Sequence, residues 1–139
     1  MTEQIVSYKT AKLAKEKGFD ITQRYGQEAS LYNKDGKHTY YMNYGFMYSG
    51  LYEGYISAPT QSFLKDWLWE TFGIFVSVIP VKRRGENSIY FQHRISDFRN
   101  NFHDIEVLFE HQYNGSEEFE SPYIALEAGL VVAIKSIKL

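Results

Sequence analysis

The chain has no cysteine and only three prolines in 139 residues. Without thiols it can form no disulfide, no thiolate metal site and no cysteine nucleophile. That fits a reducing compartment. No apolar run approaches the roughly 18–20 residues that cross a bilayer. The start, Met1-Thr2-Glu3-Gln4-Ile5-Val6, lacks the basic and apolar segments of a signal peptide. A cytoplasmic address is expected, in the producing cell or in a host cell if the gene is viral. Residues 100–134 contain neither Lys nor Arg but carry Asp104, Glu106, Glu110, Glu117, Glu118, Glu120 and Glu127. The formal net charge is -2. Nucleic-acid binders usually show a basic footprint, and the last third of this chain leans the other way. A solvated acidic face is the simplest account of it.

Catalytic signatures are also missing. No Gly-x-Ser-x-Gly, Walker loop or kinase set appears, so nothing points to an activated serine or a phosphate cradle. His38, His93, His103 and His111 show no helical i, i+4 pair of the zinc-binding kind. Glu117-Glu118 lies beside Gly115 and Ser116 in a polar stretch, whereas catalytic carboxylates need a pocket that separates their pKa values. Asn114-Gly115-Ser116 matches a glycosylation sequon, but without secretion it marks only a turn. The expectation is a protein that is not an enzyme, with no cofactor and no metal.

What the chain does have is aromatic residues: 12 Tyr, 10 Phe and 2 Trp. Its length implies one domain over residues 1–139. Ser7 can cap a first helix to about Lys17, closed by Gly18 with Phe19 folding back; Tyr8, Ala11, Leu13 and Ala14 make its thin apolar stripe. Glu28–Tyr32 and Lys37–Met42 flank Asn33-Lys34-Asp35-Gly36, a hairpin signal. Ser57-Ala58-Pro59-Thr60 opens a second helix that Gly73 closes. Phe63, Leu64, Trp67, Leu68 and Phe72 share its core face, and Trp69 falls outside it among Ser62, Lys65 and Asp66. Ile74–Lys82 and Asn87–Ser96 form a second hairpin around Arg83-Arg84-Gly85-Glu86. Pairing Arg84 with Asn87 sets Val78 against His93, Val76 against Ile95 and Pro80 against Phe91, so one face is consistent. Pro80 argues for an edge or a bulge. A third strand over about Asp104–His111 fits if Phe91 pairs with Phe109. Ser121-Pro122 then starts a last helix with a core stripe of Tyr123, Leu126, Leu130, Ala133, Ile134 and Ile137, flanked by the small residues Ala125 and Gly129. The order α-β-β-α-β-β-β-α means an α+β fold, an antiparallel sheet with helices mainly on one face.

Three segments carry a resemblance. They are Ala11-Lys12-Leu13-Ala14-Lys15-Glu16-Lys17-Gly18-Phe19, the run from Ala58-Pro59-Thr60-Gln61 through Trp67-Leu68-Trp69-Glu70 to Val76, and Ser121-Pro122-Tyr123-Ile124-Ala125-Leu126-Glu127-Ala128-Gly129-Leu130. Together they resemble a family of small uncharacterised proteins of gut Bacteroides-type bacteria and their phages or mobile elements. The chain departs from the family pattern at Trp69, where Arg is frequent, and at Tyr123-Ile124-Ala125, where an acidic run is usual. The resemblance implies a cytoplasmic, phage-linked origin and supplies no catalytic residues.

The favoured expectation is a non-catalytic protein-interaction module that binds a protein partner or itself. The segment 44–55 mixes Tyr44, Phe46, Tyr48, Tyr52 and Tyr55 with Gly45, Ser49, Gly50 and Gly54. That mixture offers rigid amphipathic rings on an adaptable backbone, as binding loops do. Trp69 can extend such a surface, since Trp and Tyr are frequent interface hot spots. Packing of the loop over its own domain competes with this reading. Two alternatives stand beside it. One is a nucleic-acid binder, because Pro59–Ile137 reads α-β-β-β-α like a double-stranded-RNA-binding domain. Its basic grip is absent at Ser121-Pro122-Tyr123, however, and only Lys82-Arg83-Arg84 offers a basic cluster. The other is a phage protein that sequesters a small nucleotide between aromatic rings. No membrane partner is expected.

Overall fold

The computed structural model describes residues 4–19, 29–41, 54–98 and 117–138. The fold is α+β; the described residues form three helices and two antiparallel sheets. The chain gathers into two compact units, Met1–Thr60 with Leu139, and Gln61–Lys138.

The first unit begins with helix α1, Tyr8–Glu16. Ser7 caps it as expected, its side chain accepting from the Thr10 N–H at 3.2 Å. The far end is a Schellman motif. Gly18 takes a φ of 97°, the Gly18 N–H donates to the Lys15 carbonyl and the Phe19 N–H to that of Ala14, both at 3.0 Å. Only glycine enters this backbone region without a Cβ penalty. The turn carries Phe19 into the core, where it is 3% exposed. The buried stripe of α1 is Thr10, Ala11 and Ala14. Leu13, expected there, is only half-buried. Thr10 tolerates burial because its hydroxyl lies 3.0 Å from that of Ser7.

Strands β1 (Ala29–Tyr32) and β2 (His38–Tyr41) form the expected first hairpin, with Tyr32 opposite His38. Its turn depends on Asn33 as well as on Asp-Gly. The Asn33 side-chain oxygen accepts from the N–H groups of Asp35 and Lys37, each at 2.9 Å. Such an Asx contact imitates a backbone turn. Strand β3, Ile56–Ser57, adds to the other side of β1. The second helix, expected to open within Ser57-Ala58-Pro59-Thr60, begins only at Gln61. The chain instead stays extended through Thr60, which bridges Ile5, while the Pro59 carbonyl accepts from the Val6 N–H at 3.0 Å. Strand pairing claims these backbone groups, and the helix starts later.

The second unit opens with α2, Gln61–Phe72. Leu64, Trp67 and Leu68 are buried, Phe63 and Phe72 half-buried, and Trp69 is exposed. Strands β4 (Ile74–Lys82) and β5 (Ile89–Asp97) pair in the expected register, Val76 with Ile95, Val78 with His93 and Pro80 with Phe91. A regular ladder accommodates Pro80 for a definite reason. The Phe91 N–H and C=O both bond Phe119, at 2.8 Å each. Both therefore point away from β4, so Pro80 occupies a non-hydrogen-bonded pair where no N–H is required. Among the described residues β4 is the edge of this sheet. The pairing expected between Phe91 and Phe109 is corrected, because Phe119 holds that place. The expected strand Asp104–His111 lies outside the described residues.

Helix α3, Pro122–Lys135, starts as expected at Ser121, whose side chain accepts from the Tyr123 N–H at 3.1 Å. Its buried face is rotated from the expected stripe. Ala125, Gly129, Leu130, Ala133 and Ile134 are buried, Leu126 is half-buried and Tyr123 is 39% exposed. The small ridge Ala125-Gly129-Ala133 runs at i, i+4, i+8 and lets α3 lie close against the hairpin. A Cβ placed on Gly129 would stand 2.8 Å from His93 Cβ and 2.9 Å from Val76 Cγ1. Helix α3 therefore packs on the face that carries Val76 and His93, and α2 packs on β4 beside it. Gly129→Ala is expected to lower stability by about 1–3 kcal/mol through overpacking, read as a lower midpoint in thermal or urea unfolding.

Candidate functional site

The described residues place one sequence-selected aromatic in a defined cluster. On α2 the residues Leu64, Trp67 and Leu68 turn inward, which leaves Trp69 on the outer side with 45% exposure. Gly73 then reverses the chain with a φ of 68°, a conformation natural to glycine, and β4 begins at once. Strand alternation buries Ile74 and Val76 and turns Phe75 to the opposite face, where it is 39% exposed. The tight connection brings Phe75 back beside Trp69, with ring centroids 5.9 Å apart and planes at 83°. Phe98 completes the group at 5.5 Å and 81° from Trp69. It is held there because its N–H donates to the Gly73 carbonyl at 2.9 Å. One helical turn before Trp69, the Lys65 ammonium stands 4.9 Å from the Phe75 ring centroid.

Edge-to-face pairing satisfies the ring quadrupoles within the cluster and a cation over a ring adds to it. Trp69 and Phe75 nevertheless keep much of their area in water. The group contains no nucleophile and no acid–base pair. Chemically it can do one thing well, which is to bury aromatic surface against another molecule.

Of the residues selected from the sequence, Tyr44, Phe46, Tyr48 and Tyr52 lie outside the described residues. Tyr55 is half-buried just before β3, in the first unit. Trp69 belongs to the second. Its neighbours Phe75 and Phe98 were not singled out as its partners. Their approach depends on the Gly73 turn and on the end of β5, which a helical wheel does not contain.

Two polar groupings were also not foreseen. Ser30 Oγ lies 2.7 Å from His38 Nε2 and donates to the Ala58 carbonyl at 2.7 Å. Its single proton is thus committed to Ala58, and His38 supplies the other hydrogen from Nε2. A serine nucleophile needs the reverse, with its hydroxyl donating to the histidine. The pair ties β1, β2 and the stretch after β3 together. At the other hairpin, Arg83 stacks 4.6 Å over Tyr90 and forms ion pairs with Glu118 at 2.5 Å and Glu86 at 3.8 Å. Glu118 holds the guanidinium proton more firmly than usual. The cluster lashes the turn to the segment that leads into Phe119.

His93, on β5, is half-buried between Gly129 and the Phe119 ring, whose centroid is 6.3 Å away. Burial pushes its pKa below the ordinary 6.5, with Glu117 opposing the shift. The folded state resists a proton that the unfolded chain accepts. The stabilisation is therefore complete above pH 6.5 and declines as pH falls below it, until the folded imidazole itself protonates. Urea unfolding across this range is expected to show that decline, and His93→Gln to flatten it.

No family model, curated protein or solved structure matches the chain. Among the described residues, no helix is long and apolar enough to cross a membrane.

Proposed function

We propose that this protein is a non-catalytic interaction module that works by contact with a protein partner. The observation that carries the reading is the exposed Trp69–Phe75–Phe98 cluster with Lys65 over one ring. Large aromatic rings held rigid by their neighbours lose little entropy on binding, and Trp is among the residues most often dominant at interfaces. The catalytic motifs missing from the sequence and the committed proton of Ser30 argue in the same direction. The Tyr44–Tyr55 segment is proposed as a contact surface in its own right, on its composition. The resemblance to small proteins of gut Bacteroides-type bacteria and their phages supports a cytoplasmic, phage or mobile-element setting.

Nucleic acid is the second reading. It is favoured by the basic turn Lys82-Arg83-Arg84 and by Arg94, on the same sheet face as Phe75 and Tyr90. The ion pairs from Arg83 to Glu118 and Glu86 already offset much of that turn's charge. Phosphate contacts release counterions, so binding of this kind must weaken steeply with salt.

The test is capture of partners from the native host by wild-type protein and by Trp69→Ala. Trp69 is half in water, so the variant is expected to keep its circular dichroism and lose at least tenfold in recovery of a specific partner. Unchanged recovery by a folded variant would exclude the patch. A salt-sensitive shift of single- or double-stranded RNA or DNA would favour the second reading instead.

A further inference from the structure

Helix α3 is apolar on two faces. Its inner ridge, Ala125-Gly129-Ala133, lies on the hairpin. About 100° round the helix from this ridge, Ile124, Ala128 and Val132 recur at i, i+4 and i+8; Ala128 is half-buried and the outer two are 55% and 48% exposed. Val131 is half-buried beside them. At 100° per residue Ser121, Ile124, Ala128, Val132 and Lys135 fall within about 40° of one line down the helix. A helix with apolar residues on both sides normally has both sides covered. Single exposed aliphatics need no explanation, but an aligned row of them does.

The row is also its own complement when reversed. A small residue, Ala128, stands at its centre. Equal steps away lie two branched aliphatics, Ile124 and Val132. Just before the N-cap Ser121 stands an acid, Glu120, and the C-terminal end of the row carries a base, Lys135, both exposed. Turned end for end about Ala128, the row sets Ile124 against Val132 of a second copy and Glu120 beside the copy's Lys135. Antiparallel placement also opposes the two helix dipoles. A closed two-fold interface requires this kind of self-matching patch, since each residue must meet its counterpart's partner.

We infer that the outer face of α3 joins two copies of this chain as an antiparallel helix pair centred on Ala128. The row spans only about four helical turns. The dimer therefore belongs to the small-interface class, below or near about 1,200 Å² in total, and exchanges reversibly. The inference concerns a surface other than Trp69 and stands apart from the proposed partner binding.

Sedimentation of the full chain over about 10–300 µM reads the dimer directly. Wild type is expected to shift from monomer to dimer across this range. Val132→Asp, at an exposed site, should raise the dissociation constant tenfold or more with unchanged circular dichroism. Glu120→Lys should weaken the dimer, and Glu120→Lys combined with Lys135→Glu should restore it. Trp69→Ala should leave it intact. Because the chain has no cysteine, Ala128→Cys gives an independent measurement. Under mild oxidation it should form a covalent dimer much faster than Arg84→Cys in the exposed turn. That readout also decides the matter if Val132→Asp fails to fold. A monomer throughout the range, a dimer indifferent to Val132→Asp, or equal cross-linking at positions 128 and 84 would overturn the inference.

Discussion

The second unit depends on how closely α3 approaches the β4–β5 hairpin. Gly129 sets that distance, because any side chain there would meet His93 and Val76 at under 3 Å. Ala125 and Ala133 extend the same close ridge a turn to either side. Close approach gathers Leu130 and Ile134 into the core and half-buries His93. It also forces a trade. When the smallest residues of a helix face inward, bulkier ones are left outside, and Ile124 and Val132 are the result. The desolvated imidazole and the aliphatic outer row are thus two consequences of one packing decision.

Much of this fold was legible in the sequence because local rules set it. Ser7 and Ser121 cap helices, Gly18 and Gly73 end them, and the alternation in Ile74–Lys82 fixes the register down to Pro80 against Phe91. These features depend on residues within a few positions of one another, or on a period that one slip would invert. The misses were non-local. Ser57-Ala58-Pro59-Thr60 reads as a helix start, but Ala58 and Pro59 bond Ser30 of β1 and Val6 instead. Phe109 and Phe119 offer the same residue type to Phe91, and pattern alone does not choose between them. The rotation of α3 follows from a packing distance, which a wheel of hydrophobicity does not encode. The apolar stripe placed Tyr123 in the core and Ala125 and Gly129 on its flank, whereas the sheet selected the small residues.

The site divides in the same way. Trp69 was found because helical geometry alone excludes it from the stripe of Leu64, Trp67 and Leu68. Its setting was not found, since Phe75 reaches it only through the Gly73 reversal and Phe98 only through the last residues of β5. A wheel tells which residue is left over. Topology tells what it is left over beside.

Several polar groups described in the two units are engaged within the fold. Ser30 spends its proton on Ala58, Tyr32 on the Val6 carbonyl and Gln61 on the Tyr123 carbonyl and Glu127, while Arg83 is held between two carboxylates. Each of these groups completes a structural joint. A catalytic group must be held in place and still have a proton or lone pair to exchange with a substrate. What these joints hold in the open is apolar surface: Trp69 and Phe75 on one element pair, Ile124 and Val132 on another. Such surface is costly to leave in water, and its cost is recovered only when another surface covers it. Among the described residues the two exposed apolar rows differ in shape, one of flat aromatic rings and one of branched aliphatics along a helix, so the contacts proposed for them are separate ones.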